Sequence, residues 1–74
     1  MEKYLVILSA PSLHLMNEAE NYIEPYVIEF KKETPWEKIV EYVDERLMRA
    51  FSLQYSVELS KVSIYAAAKL KSAS

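Results

Sequence analysis

The sequence contains no glycine among its 74 residues, and this absence limits both its turns and its chemistry. Glycine adopts left-handed backbone conformations at no steric cost, so the turns of this chain must be formed by Pro, Asn, Ser or Lys. The phosphate-binding loop, the dinucleotide-binding fingerprint and a glycine-based oxyanion turn all need glycine at fixed positions. These three kinds of site are therefore excluded.

The length predicts one small domain, residues 1–74, with a thin core. A domain of this size buries only about 60% of the surface that its unfolded chain exposes. Yet 51% of the residues are apolar. We therefore expect an apolar surface patch that a second chain covers, with scattered exposed tyrosines as the alternative.

The chain also has no cysteine, which excludes disulfides, thiolate-bound zinc and cysteine nucleophiles. It shows no signal peptide, so the cytoplasm is the expected location. The longest apolar run, Tyr4 to Leu8, is far shorter than the roughly 18 residues that cross a bilayer. We predict no membrane association.

Three elements are predicted in the first half of the chain. Residues 3–9 form a continuous apolar run, typical of a strand that is covered on both faces and lies centrally in its sheet. Residues 12–24 carry apolar side chains at helical spacing, with Ser12 as a helix cap. Residues 25–33 alternate in polarity and predict a half-buried strand that begins at Pro25.

A second helix is predicted from residue 34 to residue 51. Thr34 and Glu37 have the spacing of a capping box, and Pro35 stands at the first helical position. The helix would bury one apolar stripe, which consists of Trp36, Ile39, Val40, Val43, Leu47 and Phe51.

Residues 51–70 alternate between apolar and polar on both sides of Ser60-Lys61. A hairpin that turns there would pair apolar with apolar side chains on one face, so we predict two antiparallel strands. The alternative is a strand followed by a short helix from about Ser63, because "AAAKL" favours helix. Whether residues 63–70 are strand or helix stays open, and residues 71–74 are expected to be a frayed tail.

These elements predict an α+β fold in the order strand, helix, strand, helix, strand, strand. The architecture would be a two-layer sandwich, with two helices packed on one face of a mixed four-stranded sheet. The first two strands would be parallel and joined by a right-handed crossover.

No arrangement of side chains indicates catalysis or metal binding. His14 and Glu18 could share one helix face, but a metal needs at least one further donor. The serines at positions 52, 56, 60 and 63 have no accompanying histidine and no nucleophile motif. We therefore predict no catalytic residue, no cofactor, no metal and no small-molecule substrate: the chain is not expected to be an enzyme.

Charge is divided unevenly along the chain. Residues 1–45 hold ten acidic and four basic residues, whereas residues 46–74 hold one acidic and five basic residues. Bases interspersed with Tyr55 and Tyr65 could bind single-stranded nucleic acid, which makes a small nucleic-acid-binding regulator the alternative function. The acidic isoelectric point of about 5.3 argues against it.

The main prediction is a non-catalytic protein–protein interaction module. It would act as a homodimer, or as a small subunit or inhibitor that docks on a larger protein. Aromatic and arginine side chains are the usual energetic anchors of such surfaces. The candidate partner-binding residues are Trp36, Tyr42, Arg46, Arg49, Tyr65 and Lys69. Trp36 also lies on the buried stripe of its helix, so the sequence leaves it open between core and interface.

Overall fold

The computed structural model of the chain describes residues 1–12 and 21–70. In this part of the chain, β1 (Glu2–Pro11), β2 (Asn21–Phe30) and β3 (Ser63–Leu70) form an antiparallel sheet in the order β2-β1-β3. A 20-residue helix, α1, spans residues 36–55 and comprises Trp36–Tyr42, a π-helical turn at Val43–Leu47, and Met48–Tyr55. A short 3-10 turn at Leu59–Lys61 leads into β3.

The predicted four-stranded mixed sheet with two helices is wrong, although the chain is a small α+β structure. The described residues contain three antiparallel strands and one 20-residue helix, in the order strand, strand, helix, strand. β1 does lie at the centre of its sheet, as its apolar run predicts. Its neighbour β2 is antiparallel to it, so no crossover joins them.

The first predicted helix fails where the structure can test it. Residues 21–24 of that prediction are the first residues of β2, and they pair with the end of β1 from Pro11↔Asn21 onward. The helical spacing of their apolar side chains was a local signal, which ten consecutive strand pairs override. Residues 13–20 of the prediction lie outside the described residues.

The predicted hairpin at residues 51–70 is also wrong. Its first half continues α1 to Tyr55, because Phe51 and Tyr55 extend the apolar stripe of a helix that is already formed. Its second half is β3, which pairs with β1 instead of with residues 51–59. Residues 63–70 are therefore a strand, and the alternative of a helix from Ser63 is wrong as well.

The π-helical turn keeps the apolar stripe of α1 against the sheet. Successive buried side chains of the helix are four residues apart, at Ile39, Val43, Leu47 and Phe51. In an α-helix each step of four residues advances about 40° around the axis, so this stripe would drift away from the sheet. A π turn holds more residues per turn, which reverses the drift in the middle of the helix.

The core lies between α1 and one face of the sheet. Even-numbered residues of β1 point into it, and Leu8 is fully buried together with Phe51 of the helix. The buried cluster consists of Val6, Leu8, Ala10, Ile28, Val43, Leu47, Phe51, Val57 and Val62. Partly buried aromatic side chains from the same sheet face surround it, namely Tyr4, Tyr22, Tyr26 and Phe30.

The helix start differs from the predicted capping box. The hydroxyl of Thr34 donates a hydrogen bond of 2.5 Å to the carbonyl of Lys31, inside the turn that precedes the helix. Pro35 is the capping residue, and no side chain bonds to the free N–H groups there. The pairing of Thr34 with Glu37 is therefore wrong, because the hydroxyl is used by the turn.

Among the described residues, two adopt the left-handed conformation that usually selects glycine: Glu33, with φ of 74°, and Ser56, with φ of 54°. Ser56 ends the helix. Beyond it, the N–H of Val57 donates to the carbonyl of Ser52 at 3.1 Å, and the Ser52 hydroxyl donates to the carbonyl of Val57 at 2.6 Å. The first bond satisfies a carbonyl of the last helical turn without glycine, and the second joins the residue after the turn to the helix.

Candidate interaction surface

The sheet face opposite α1 is apolar on all three strands. Its positions follow from the register, which pairs Leu5 with both Val27 and Ala68 and places Ile7 beside Ala66. We call this surface the outer sheet face; its apolar residues are Leu5, Ile7, Ile23, Pro25, Val27, Ala66, Ala68 and Leu70, with Lys3 and Glu29 at one end and Ser9 and Ser63 at the other. None of the described helices or strands covers it, and Ile23 and Val27 are 49% and 60% exposed.

The apolar character of this face originates in β1. An antiparallel sheet with one solvated face normally alternates between apolar and polar side chains. β1 does not alternate, because Leu5 and Ile7 are as apolar as Val6 and Leu8 between them. The helix covers Val6 and Leu8, whereas Leu5 and Ile7 stay partly exposed. The sequence of β1 thus fits a strand with two covered faces, and the described residues cover one.

Two opposite charges lie at one end of the outer sheet face. Lys3 and Glu29 are register partners on β1 and β2, and the Lys3 Nζ lies 3.6 Å from the Glu29 Oε1. Both side chains are about half exposed, so the pair contributes little to stability. Its consequence is electrostatic: the two charges cancel, and this apolar face carries no net charge.

A second apolar surface is a groove between the first half of α1 and β3. Its volume is about 180 Å³. It is lined by Tyr4, Val6, Trp36, Ile39, Val40, Val43, Ile64, Ala67, Ala68 and Lys69. The groove exists because the helix packs mainly over β1 and β2, which leaves Ile64 of β3 partly exposed.

Among the described residues that line the groove, Lys69 is the charged one. Its Nζ lies 2.5 Å from the Glu2 Oε2 across the β1–β3 pair, and this hydrogen bond raises the pKa of Lys69 above its ordinary value. The amine is therefore already paired within the chain. The acidic and basic parts of the sequence are therefore not fully separated in the fold, because Lys69 of the basic part pairs with Glu2 of the acidic part.

Three of the predicted partner-binding residues lie near one another. Trp36 and Lys69 line the groove, and Tyr65 is exposed on the strand that bounds it. Trp36 is 64% exposed, which answers the question that the sequence left open: it belongs to the surface and not to the core. Tyr65 has no register partner on β1, because the pairing shifts between Ile7 and Leu8.

The other three predicted residues lie elsewhere on the helix. Tyr42 packs edge-to-face on Phe30, with ring centroids 5.4 Å apart, and is partly exposed. Arg46 and Arg49 are exposed on the second half of the helix and line neither the groove nor the outer sheet face. The six residues therefore do not form one patch, and their role in binding stays a prediction.

The residues of the outer sheet face were not among the predicted site residues. The sequence signal was present in the uninterrupted apolar run of β1. It was interpreted as a strand that is covered on both faces, but the predicted architecture placed both helices on one face and assigned no layer to the other. The high apolar content predicted an exposed apolar patch, but it did not show which residues would form that patch.

The described residues show no site for metal-dependent chemistry. No group of three or more His, Cys, Asp or Glu side chains lies close enough together there to hold a metal ion. His14 and Glu18, the pair considered from the sequence, lie outside the described residues. Within residues 1–12 and 21–70, no helix is long and apolar enough to span a membrane.

No protein-family profile, curated protein or solved structure matches this chain. Its function is therefore inferred from its own surfaces. Among these, the outer sheet face is the one that all three strands share.

Proposed function

We propose that this protein is a non-catalytic protein–protein interaction module that binds its partner through the outer sheet face. The observation that carries the proposal is the apolar character of that face on all three strands, centred on Leu5 and Ile7 of β1. Contiguous exposed apolar surface of this kind marks interaction sites in soluble proteins. A partner that covers it would supply the layer that β1 otherwise lacks.

The surface area of the whole chain supports the same proposal. A folded monomer of 8.6 kDa is expected to expose about 4,700 Å². This chain exposes 5860 Å². The excess of about 1,200 Å² is larger than the roughly 800 Å² that each partner buries in a protein–protein interface of standard size. The chain therefore has enough surplus surface for one such interface.

The alternative of a nucleic-acid-binding regulator gains no specific support from the described residues. Such binding depends on unpaired bases gathered along one surface. Lys69 is paired with Glu2, and Arg46 and Arg49 lie on the second half of the helix and do not line the groove beside the strand that carries Tyr65. Nucleic-acid binding stays a prediction from the sequence.

Charge substitutions on the outer sheet face test the proposal. Fluorescently labelled chain is sedimented at nanomolar concentration in extract of its source cells, and unlabelled chain is sedimented alone at micromolar concentration. We expect the native chain to sediment faster than a monomer in at least one of these two conditions. Val27→Lys should sediment as a monomer in both, because a buried lysine without a partner opposes association.

Leu53→Lys is the matched control, since Leu53 is an apolar residue that is 82% exposed on the helix, away from the sheet. It should sediment like the native chain, and circular dichroism should show that both variants are folded. A native chain that is monomeric in both conditions, or a complex that Val27→Lys leaves intact, would contradict the proposed function.

A further inference from the structure

We propose that the partner of the outer sheet face is a second copy of this chain, stacked face to face about a two-fold axis that runs parallel to β1. This inference rests on the proposed function and names its partner. The assembly would consist of two sheets packed about 10 Å apart, with the helix of each copy on the outside. Charge, shape and area support it.

The charge argument asks whether the outer sheet face of one copy would repel the same face of a second copy. In a two-fold interface the same patch meets its own copy, so any net charge on it is repelled. Lys3 and Glu29 are the charged residues of the outer sheet face among those described, and they pair with each other at 3.6 Å. The face is electrically neutral, whereas the whole chain has a net charge of −2. The axis parallel to β1 places Lys3 opposite its own copy at one end of the interface, where the paired Glu29 carboxylate of each copy offsets the charge.

The shape argument concerns the two strands that flank β1. On one side, β2 contributes the large side chains of Ile23 and Val27. On the other side, β3 contributes the small side chains of Ala66 and Ala68. A two-fold axis parallel to β1 stacks β2 of each copy over β3 of the other. Val27 then lies over Ala68 at the level of Leu5 and Pro25 over Ala66 at the level of Ile7, whereas Leu70, the large residue of β3, lies over Glu29 beyond them. Larger side chains thus meet smaller ones on both sides of β1, which is the complementarity that close packing requires.

An axis perpendicular to the strands is disfavoured by the same side chains. It would stack β2 on β2 and β3 on β3, so the large side chains of Val27 and Ile23 would meet those of the other copy's β2 while the alanines left a void. Voids and overpacking both weaken a packed interface. The axis parallel to β1 therefore fits the face better.

The area argument sets the scale of the interface. The excess surface of the chain exceeds the roughly 800 Å² that one partner contributes to a standard interface. A second copy that buries an area of this size completes an interface of standard size. The second copy is therefore sufficient as a partner.

The main structural rival is a dimer that pairs the β3 edges of two chains into one six-stranded sheet. β3 is an edge strand without proline, and its one charge, on Lys69, is paired with Glu2. Such a dimer would leave the outer sheet face uncovered on both copies. The two arrangements differ in which residues approach their own copies.

Single-cysteine variants distinguish the arrangements, since the native chain has no cysteine. Ile7 lies at the middle of β1, and Ala67 lies at the middle of β3. Each variant is treated with a short bismaleimide cross-linker at a concentration where the native chain is associated. We expect Ile7→Cys to give a covalent dimer in high yield and Leu53→Cys to give almost none. Cross-linking of Ala67→Cys without that of Ile7→Cys would overturn the stacked arrangement in favour of the edge dimer.

Sedimentation of the purified chain over a concentration series provides the second measurement. The native chain should show a monomer–dimer equilibrium, and Val27→Lys should raise its dissociation constant at least about 100-fold, because the substitution appears twice in the interface. Leu53→Lys should leave the constant within about twofold. A native chain that stays monomeric at every concentration overturns the second copy as partner. If the purified chain is monomeric but forms a complex in cell extract that Val27→Lys abolishes, the proposed function is supported and the partner is a different protein.

Discussion

The hydroxyl of Tyr55, in the last turn of α1, donates a hydrogen bond of 2.5 Å to the Glu24 carboxylate on β2, 31 residues earlier in the chain. The Tyr55 ring also stacks on Tyr22, with centroids 4.5 Å apart and an interplanar angle of 18°. A further contact joins it to Phe51 at 4.8 Å. Tyr55 therefore connects the end of the helix to the first residues of β2.

Tyr55→Phe should lower the urea midpoint of unfolding. The substitution keeps the ring that stacks on Tyr22 but removes the donor, so the partly buried Glu24 carboxylate loses its charge-assisted hydrogen bond. Tyr65→Phe is the control, because Tyr65 is 66% exposed and its hydroxyl makes no hydrogen bond among the described residues. Equal midpoints for the two variants would show that the bond contributes nothing to stability.

The same contact predicts a loss of stability at alkaline pH. The hydrogen bond to Glu24, followed by burial, raises the pKa of Tyr55, and burial raises the pKa of Tyr26. The folded state therefore holds these protons more tightly than the unfolded chain, in which the tyrosine pKa is about 10. Their contribution is complete below about pH 10 and is lost as the pH rises toward the folded-state values.

Urea midpoints measured from pH 8 to pH 11 check this prediction. The native chain should lose stability above about pH 10, and Tyr55→Phe should show a shallower decline because one of the linked groups is absent. The raised pKa of Lys69, caused by Glu2, acts in the same direction and is present in both proteins. A native chain and variant with parallel pH profiles would contradict a role for Tyr55.

Ser56→Gly should stabilise the chain. Ser56 ends the helix with φ of 54°, a conformation that costs a non-glycine residue about 1 kcal/mol and costs glycine almost nothing. After allowing for the greater freedom of glycine in the unfolded chain, we expect a gain of about 0.5 kcal/mol by urea unfolding. Ala50→Gly, in the exposed interior of the same helix, should instead destabilise by about 1 kcal/mol. Destabilisation by Ser56→Gly would contradict this account.

The structure shows which sequence signals were sufficient. The apolar run of β1 correctly predicted a central strand, and the stripe from Ile39 to Phe51 correctly predicted a helix. The core buries Val6 and Leu8 of the first signal and the four residues from Ile39 to Phe51 that carry the second. The alternation at residues 51–59 predicted a strand. The helix continues to Tyr55 instead, because extending a helix that is already formed does not require the costly nucleation step. Local pattern could not show that the helix continues to Tyr55.

The candidate surface was less predictable than the fold for a related reason. The outer sheet face is defined by which strands are neighbours, and local sequence patterns do not show which strands pair across the chain. Val27 and Ala68 share that face because both flank Leu5 of β1. The contact of Lys69 with Glu2 likewise joins two residues at opposite ends of the chain. A charge count along the sequence treats those two residues as members of separate regions.

Phe51→Ala should remove a large part of the stability of the chain. Phe51 is completely buried between the helix and the sheet, and truncation of such a side chain typically costs about 3–5 kcal/mol. A domain of this length is expected to have a total stability of roughly 4–11 kcal/mol. Leu53→Ala, two residues away on the exposed side, should change stability by less than about 0.5 kcal/mol. Urea unfolding of the two variants gives the comparison, and similar values would contradict the position of Phe51 in the core.

Trp36 should report the same environment in the monomer and in the dimer. It is the single tryptophan of the chain, and it lines the groove on the helix side of the sheet. A dimer stacked through the outer sheet face leaves that groove open, so the emission maximum and acrylamide quenching should not change when the dimer is diluted. Pairing of two β3 edges would cover the side of the groove that contains Ile64, and would shift the emission to shorter wavelength on association.

The matched control moves the tryptophan to the outer sheet face. In the double variant Trp36→Phe/Val27→Trp, the reporter replaces a residue that is 60% exposed in the single chain and lies within the proposed interface. Its emission should shift to shorter wavelength, and its quenching should fall, as concentration rises through the dissociation constant of the dimer. The opposite pattern, with Trp36 of the native chain shifting and the tryptophan at position 27 unchanged, would place the interface at the β3 edge.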